Sequence, residues 1–147
     1  IVAGEGSEKK NLKKLVIDYG LQSNVLFVGK VNESQKKHLF EHSDLMVMPT
    51  LDESENRSVE GFGIAYLEAA FFGIPSIASN IGGTKEAVLH EKTGIIIDTL
   101  DSLYQSILAL LKNPSQRKLL GNQAQKRAIQ DFKWENVTNK YLNTINN

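Results

Sequence analysis

Two glutamates flank a pair of glycines in the stretch EGFGIAYLE, residues 60–68. In an unbroken helix, Glu60 and Glu68 would lie about 80° apart around the axis and roughly 12 Å apart along it, too far apart to share one ligand. Gly61 and Gly63 change this expectation, because glycine lets the chain turn sharply before a helix begins. The sequence therefore predicts Glu60 in a loop above a helix N-terminus and Glu68 in the second turn of that helix.

The helix that carries the second glutamate has an apolar pattern of its own. Ile64, Leu67 and Phe71 follow the spacing of a buried stripe, so Glu68 is expected to border the core. A carboxylate in that position needs hydrogen-bond donors. The vicinal hydroxyls of a ribose or hexose would supply them, at about 1.5–3 kcal/mol for each bond to the charged group.

The start of the same helix offers a second set of contacts. Backbone N–H groups around Gly63, Ile64 and Ala65 would be free to bind a phosphate or sugar oxygen. A plainer interpretation stays open beside this one: Glu60 favours a helix N-terminus through the dipole alone, and Glu68 pairs with a lysine on a neighbouring helix.

Strand and helix signals alternate along the whole chain, which predicts an α/β fold with a mostly parallel sheet and helices on both faces. The carboxyl edge of such a sheet is where open α/β proteins bind ligands. The expected strands are Ile1–Ala3, Val25–Val28, Leu45–Met48, Pro75–Ala78 and Ile95–Ile97.

Helices are expected between these strands and after the last one. Their boundaries are indicated by glycines, capping residues and apolar spacing. The first helix ends at Gly20, the second follows the capping pair Asn32 and Gln35, and the third ends at Gly73. The fourth lies near Glu86–Leu89, and the fifth includes Leu103 to Leu111. The sixth follows the cap at Asn113-Pro114, and the last covers Trp134–Ile145.

Length and composition restrict the class of protein. A chain of 147 residues with 41% hydrophobic residues suits one domain with a real core. Its 17 basic and 17 acidic residues balance, so nucleic acid is not expected as a partner. The absence of cysteine fits the cytoplasm, and the start at Ile1-Val2-Ala3-Gly4 predicts a segment from inside a longer protein.

Glu60, seven intervening residues and Glu68, with Gly-Phe-Gly after the first glutamate, closely resemble the E-x7-E motif of retaining glycosyltransferases of the GT-B fold, the family 4 (group 1) enzymes. Further blocks resemble this family's donor domain in order and spacing, and together they cover nearly the whole chain. They are VLFVGKV (25–31), HSDLMVMPT (42–50), EAAFFGIPSIAS (68–79), GGTKEAV (82–88), KTGIIID (92–98) and FKWENV (132–137).

The resemblance implies that residues 1–147 form the Rossmann-like, nucleotide-sugar donor-binding half of a GT-B fold. This half would lack its first strand–helix unit, with an Arg and a Lys that neutralise the diphosphate, and the N-terminal acceptor domain. Any peripheral membrane association would come only through that domain, against which the last helix is expected to pack. The isolated segment is therefore expected to be inactive, and a non-catalytic nucleotide-sugar-binding module is the alternative.

The resemblance also implies roles for individual residues. The reaction would be sugar transfer from a UDP- or GDP-sugar with retention at the anomeric carbon, without a metal ion or cofactor. Glu60 is the expected catalytic residue and contacts the donor sugar, and Glu68 is expected to bind the ribose. Other expected substrate-binding residues are Gly61, Phe62, Gly63 and Ile64 at sugar and phosphate, Gly4, Gly6 and Val31 at the base, and Lys36 near the nucleotide.

Two other enzyme classes share parts of this pattern. A dinucleotide-dependent oxidoreductase is suggested by Gly4-x-Gly6 between a strand and a helix, but Lys9 occupies the place of the third glycine. A glycosidase also uses two carboxylates, but its pair must straddle a scissile bond at a set separation. For the oxidoreductase, the next strand also leads to Gly29-Lys30, with no acid for the ribose.

Overall fold

The computed structural model describes residues 1–50 and 61–145. These residues form two compact units, Ile1–Glu41 and His42–Asn147, where the chain length suggested a single one. Each unit has its own parallel sheet: two strands in the first and three in the second.

The first unit is a β-α-β-α segment. It consists of β1 (Val2–Ala3), α1 (Lys9–Asp18), β2 (Phe27–Gly29) and α2 (Glu33–Glu41). The two strands pair in parallel, with Val2 opposite Phe27 and Ala3 opposite Gly29. Parallel pairing places the carboxyl ends of β1 and β2 at the same edge.

The second unit continues the alternation and then becomes helical. Its strands β3 (Met46–Met48), β4 (Ser76–Ser79) and β5 (Gly94–Ile97) are parallel and lie in the order β3-β4-β5. Residues Ser76 to Ser79 of the middle strand are all buried. The helices of this unit are α3 (Ile64–Phe71), α4 (Thr84–Ala87), α5 (Leu100–Lys112), α6 (Pro114–Asp131) and α7 (Trp134–Ile145).

Helices cover both faces of the three-stranded sheet, as the alternating pattern predicted. Ala78 belongs to a cluster with Tyr66 of α3 and Ala87 of α4. Its neighbour Ile77 belongs to a different cluster, with Leu110 of α5 and Leu120 of α6. Because successive side chains of a strand point to opposite faces, β4 separates two apolar layers. The α/β, Rossmann-like fold class is confirmed.

The helix caps expected from the sequence are present. The backbone N–H of Gln35 donates to Asn32 Oδ1 at 2.9 Å, and that of Asn32 donates to Gln35 Oε1 at 3.0 Å. Asn113 Oδ1 accepts from the backbone N–H of Gln116 at 3.0 Å, and Pro114 is the first residue of α6. Local side-chain chemistry therefore decides where α2 and α6 begin.

Several predicted boundaries are wrong by one or two residues. The first three strands begin at Val2, Phe27 and Met46, β4 is Ser76–Ser79, and β5 already starts at Gly94. The short helix expected near Glu86–Leu89 is Thr84–Ala87, because the Thr84 hydroxyl donates to the Ser79 carbonyl at 2.6 Å and fixes the first turn. Among the described helices, none has the length and apolar character needed to cross a bilayer.

Candidate functional site

The helix that carries Glu68 begins at a glycine with left-handed backbone geometry. Gly63 precedes α3 with φ +86°, and no described side chain caps this helix. The first backbone N–H groups of α3, at Ile64 and Ala65, have no acceptor among the residues that the structure describes. Such groups, with the positive end of the helix dipole, form a ready site for an anionic or sugar oxygen.

An aromatic ring lies directly against this glycine. A Cβ atom at position 63 would overlap the ring of Tyr66, so only glycine fits there. Tyr66 is 1% exposed, and its hydroxyl donates to the Met48 carbonyl at 2.7 Å. This hydrogen bond attaches the start of α3 to the carboxyl end of β3.

The opposite side of the loop rests on the turn between β4 and α4. A Cβ atom at Gly83 would collide with the carbonyl oxygen of Gly61, so the two backbones are in close contact. The Gly82-Gly83 turn, which begins the block GGTKEAV, therefore supports the loop before α3.

Phe62 connects the loop to α6. Its ring lies 5.6 Å from that of Phe132, centroid to centroid. The Arg127 guanidinium lies 4.8 Å from the Phe132 centroid, within the range of a cation–π interaction. Arg127 also donates to the carbonyls of Ala87 at 2.8 Å and Glu86 at 2.6 Å. Arg127 thus joins the end of α4 to the aromatic pair formed by Phe62 and Phe132.

The predicted buried stripe of α3 is wrong. Ile64 is 71% exposed and Phe71 is 37% exposed, whereas Tyr66, Ala69 and Ala70 are buried. The helix is therefore rotated relative to the expectation. Glu68 is nevertheless half-buried and lies one turn beyond the N–H groups of the first turn.

Most of the remaining predicted residues lie in the first unit. Gly4 follows β1, and its backbone N–H donates to the Gly29 carbonyl at 2.7 Å at the end of β2, two residues before Val31. Gly6 completes this turn, and Lys36 forms a 3.1 Å ion pair with Glu33 on α2. Gly4, Gly6 and Val31 thus follow the carboxyl ends of neighbouring strands.

A charge pair orders the turn at the end of β1. Lys9 Nζ donates to Glu5 Oε1 at 2.6 Å. This bond lowers the pKa of the Glu5 carboxyl, with weaker help from the charge of Lys9 and from a backbone hydrogen bond at Lys30. Glu5 therefore carries a negative charge at neutral pH beside the predicted base-binding turn.

Glu60, the expected catalytic residue, lies outside the described residues. The structure also identifies supporting residues that the motif did not indicate: Tyr66, Gly83, Arg127 and Phe132. Phe132 falls within a block noticed in the sequence, FKWENV, but Arg127 is 59 positions beyond Glu68 and no local pattern links it to the loop.

Comparison with known families gives one match that covers most of the chain. A family model described as glycosyl transferases group 1 matches residues 1–127. A GDP-mannose-dependent alpha-(1-6)-phosphatidylinositol monomannoside mannosyltransferase of Mycobacterium tuberculosis is 30% identical over 142 residues. That alignment covers 95% of this chain and 37% of the relative, so the chain spans little more than a third of the relative's length.

Solved structures show the same architecture. Sucrose-phosphate synthase from Thermosynechococcus elongatus superposes with a TM-score of 0.80 at 26% identity, over 96% of this chain and 34% of that protein. HepE of Anabaena, solved in complex with UDP-glucose, superposes with a TM-score of 0.81 at 22% identity, over 98% of this chain and 39% of that protein. The fold is therefore the Rossmann-like fold of the GT-B glycosyltransferases.

Proposed function

The chain belongs to the group 1 glycosyl transferases, and we propose that it is the donor-binding part of a longer enzyme that transfers a sugar from a nucleoside diphosphate to an acceptor. The acceptor oxygen forms a bond to the anomeric carbon of the donor. The bond from that carbon to the diphosphate breaks, the diphosphate oxygen keeps the electron pair, and the acceptor proton passes to the leaving diphosphate. The transfer proceeds with retention and without a metal ion.

The observation that carries this proposal is the uncapped start of α3 with a half-buried carboxylate one turn further on. The first-turn N–H groups at Ile64 and Ala65 bind the diphosphate or the sugar, and Glu68 accepts from the ribose hydroxyls. Glu60 contacts the hydroxyls of the transferred sugar. Gly61, Phe62 and Gly63 keep the backbone close to the ligand.

In the first unit, recognition of the base is the role proposed for Val31 and for the turn at Gly4 and Gly6. All three residues follow the carboxyl ends of β1 and β2, where open parallel sheets bind ligands. Lys36 is proposed to contact the nucleotide. The donor is a UDP- or GDP-sugar, since backbone groups accept either base.

The full-length protein contains, under this proposal, a preceding strand and helix with two basic residues and an acceptor domain. The relatives' greater length supports this. The 147-residue segment alone is then a non-catalytic nucleotide-sugar-binding module, and its purified form should show no transfer. Turnover by this segment would contradict the proposal that it binds the donor without catalysing transfer.

The ribose assignment is tested by titrating the full-length protein with UDP and GDP. Glu68→Gln should lower the affinity for the preferred nucleotide by about tenfold or more, which is the equivalent of one hydrogen bond to a charged acceptor. Glu41→Gln is the matched control, because Glu41 is an exposed carboxylate on α2. Equal affinities of wild type and Glu68→Gln would show that Glu68 does not bind the ribose.

A further inference from the structure

A cavity lies where β3, β4 and β5 all end. It has a volume of about 200 Å³, and its walls come from the residues that follow each strand and from the start of α5. The lining residues are Pro49, Thr50, Ser79, Asn80, Ile81, Ile97, Asp98, Thr99 and Leu100. At about 30 Å³ for each water, this space holds several waters or one small ring.

Ser79 shows that the cavity contains an unused polar group. The residue is 8% exposed, and its hydroxyl makes no hydrogen bond to any described residue. No fully buried side-chain oxygen or nitrogen in the described part of the chain lacks a partner. The Ser79 hydroxyl must therefore open onto accessible space, and the cavity that Ser79 lines provides it.

Two further side chains at the rim have hydrogen-bonding capacity to spare. Asn80 Nδ2 donates to Asp98 Oδ1 at 2.7 Å, which joins the ends of β4 and β5 and fixes both groups. This leaves Asn80 Oδ1 and Asp98 Oδ2 as acceptors, and the Thr50 hydroxyl also has no partner among the described residues. Fixed acceptors beside free hydroxyls match the vicinal hydroxyls of a carbohydrate.

The charge of the lining argues against a phosphate. Asp98 is the only charged residue among the described residues that line the cavity. The start of α5 is already capped, since Thr99 Oγ1 accepts from the Ser102 N–H at 3.1 Å, and Ser102 Oγ accepts from the Thr99 N–H at 3.1 Å. With a carboxylate and no cation among the described residues of its lining, the cavity suits a neutral polyhydroxylated group, whose C–H faces can rest on Ile81, Ile97 and Leu100.

We propose that this cavity binds a neutral sugar ring of the acceptor, a substrate contact distinct from the nucleotide site. The inference rests on the proposed transferase function. Ile81 lines the cavity, and Gly83, two residues later, contacts Gly61 in the loop before α3, so the two sites share one turn. A wider groove of about 540 Å³ shares Asn80 and Asp98 and provides room for the rest of a longer acceptor.

The test uses the full-length protein with methyl α-D-mannopyranoside and methyl α-D-glucopyranoside as probes. Binding is followed by methyl NMR signals of Ile97 and Leu100, and donor hydrolysis to water is measured separately as nucleoside diphosphate release. One probe should shift both signals, and the double variant Ser79→Ala/Asp98→Asn should bind it about tenfold more weakly. Donor hydrolysis should stay unchanged.

The matched control is Ser76→Ala/Asp101→Asn. Ser76 is a buried serine of the same strand, Asp101 is an exposed aspartate in the first turn of α5, and neither lines this cavity. Failure of the wild type to bind either glycoside, or equal binding by both double variants, would overturn the acceptor site. Absence of donor hydrolysis and of transfer in the wild type would instead reject the transferase function, whatever the NMR titration shows.

Discussion

At the scale of single residues, the start of α3 depends on the absence of a side chain at position 63. Gly63 has φ +86°, a region that residues with a Cβ rarely adopt, and the Tyr66 ring occupies the place where a Cβ would lie. A side chain at position 63 would therefore destabilise the fold twice, through backbone strain and through a clash with the Tyr66 ring. The same backbone leads into the first turn of α3, where the N–H groups of Ile64 and Ala65 are the proposed ligand contacts, so one residue affects both stability and the proposed binding.

Gly63→Ala should reduce the free energy of unfolding by about 1–3 kcal/mol, because the left-handed backbone is strained and the Tyr66 ring must move. Urea unfolding of the full-length protein measures this change. Gly61→Ala is the matched control for stability: a Cβ there would meet no atom of the described residues within 4 Å, and it should cost under about 1 kcal/mol. Equal losses in the two variants would contradict the account of Gly63.

At the scale of the elements, the parts set by local chemistry could be predicted and the parts set by packing could not. The caps of α2 and α6 follow from residues three positions apart, and the sequence contains both partners. The buried face of α3 depends on α6, because Ala70 packs against Ala124 and Ala128 far along the chain. Small residues allow that close approach, so alanines rather than Ile64 and Phe71 face the core.

Tyr66 is a second reason why the buried face of α3 was missed. A tyrosine can be fully buried when its hydroxyl has a partner, and that partner is the Met48 carbonyl, 18 positions away. Apolar spacing within one helix carries no information about such a partner. The candidate site follows the same division, since the motif identified the loop before α3 but not the residues that support it.

Arg127 is the support that connects most elements. It is one-fifth exposed and donates to two carbonyls at the end of α4 while it stacks on Phe132. Arg127→Met should lower the free energy of unfolding by about 2 kcal/mol, because hydrogen bonds from a charged group and a cation–π contact are lost together. The change should also raise the donor KM more than it lowers kcat, because the Phe132 ring that packs against Phe62 is no longer held by Arg127.

Two variants separate support of the loop from general stability. Arg127→Lys keeps the charge over Phe132 but cannot bond both carbonyls as the guanidinium does, so it should recover only part of the donor KM. Lys126→Met removes an exposed neighbouring charge on α6 and should match the wild type in both measurements. A normal donor KM in Arg127→Met would show that Arg127 stabilises α4 and α6 without positioning the loop.

At the scale of the whole molecule, each of the two units contains some of the residues proposed to contact the donor. The turn at Gly4 and Gly6 and the residue Val31 belong to the first unit, and Gly63, Ile64 and Glu68 belong to the second. β3 pairs only with β4 among the described strands, which leaves its other edge available to the further strand proposed for the full-length protein.

The last helix presents an apolar surface that the described residues do not cover. Trp134 is 84% exposed, Tyr141 is 66% exposed and Ile145 is 59% exposed, and their spacing of seven and four residues places them on one side of α7. Large side chains in a continuous exposed stripe are typical of a surface that packs against another domain. We propose that this partner is the acceptor domain of the full-length protein.

Trp134→Ser/Tyr141→Ser should therefore destabilise the full-length protein by a few kcal/mol, since burial of each ring is worth about 1.5–3 kcal/mol. In the 147-residue segment the same change should cost little, because both rings are already exposed there. Thermal unfolding of both forms measures the difference, and Asn139→Ser, on the other side of α7, serves as the control. Amide hydrogen exchange across 134–145 should also be slower in the full-length protein; equal exchange in both forms would mean that α7 contacts no additional domain.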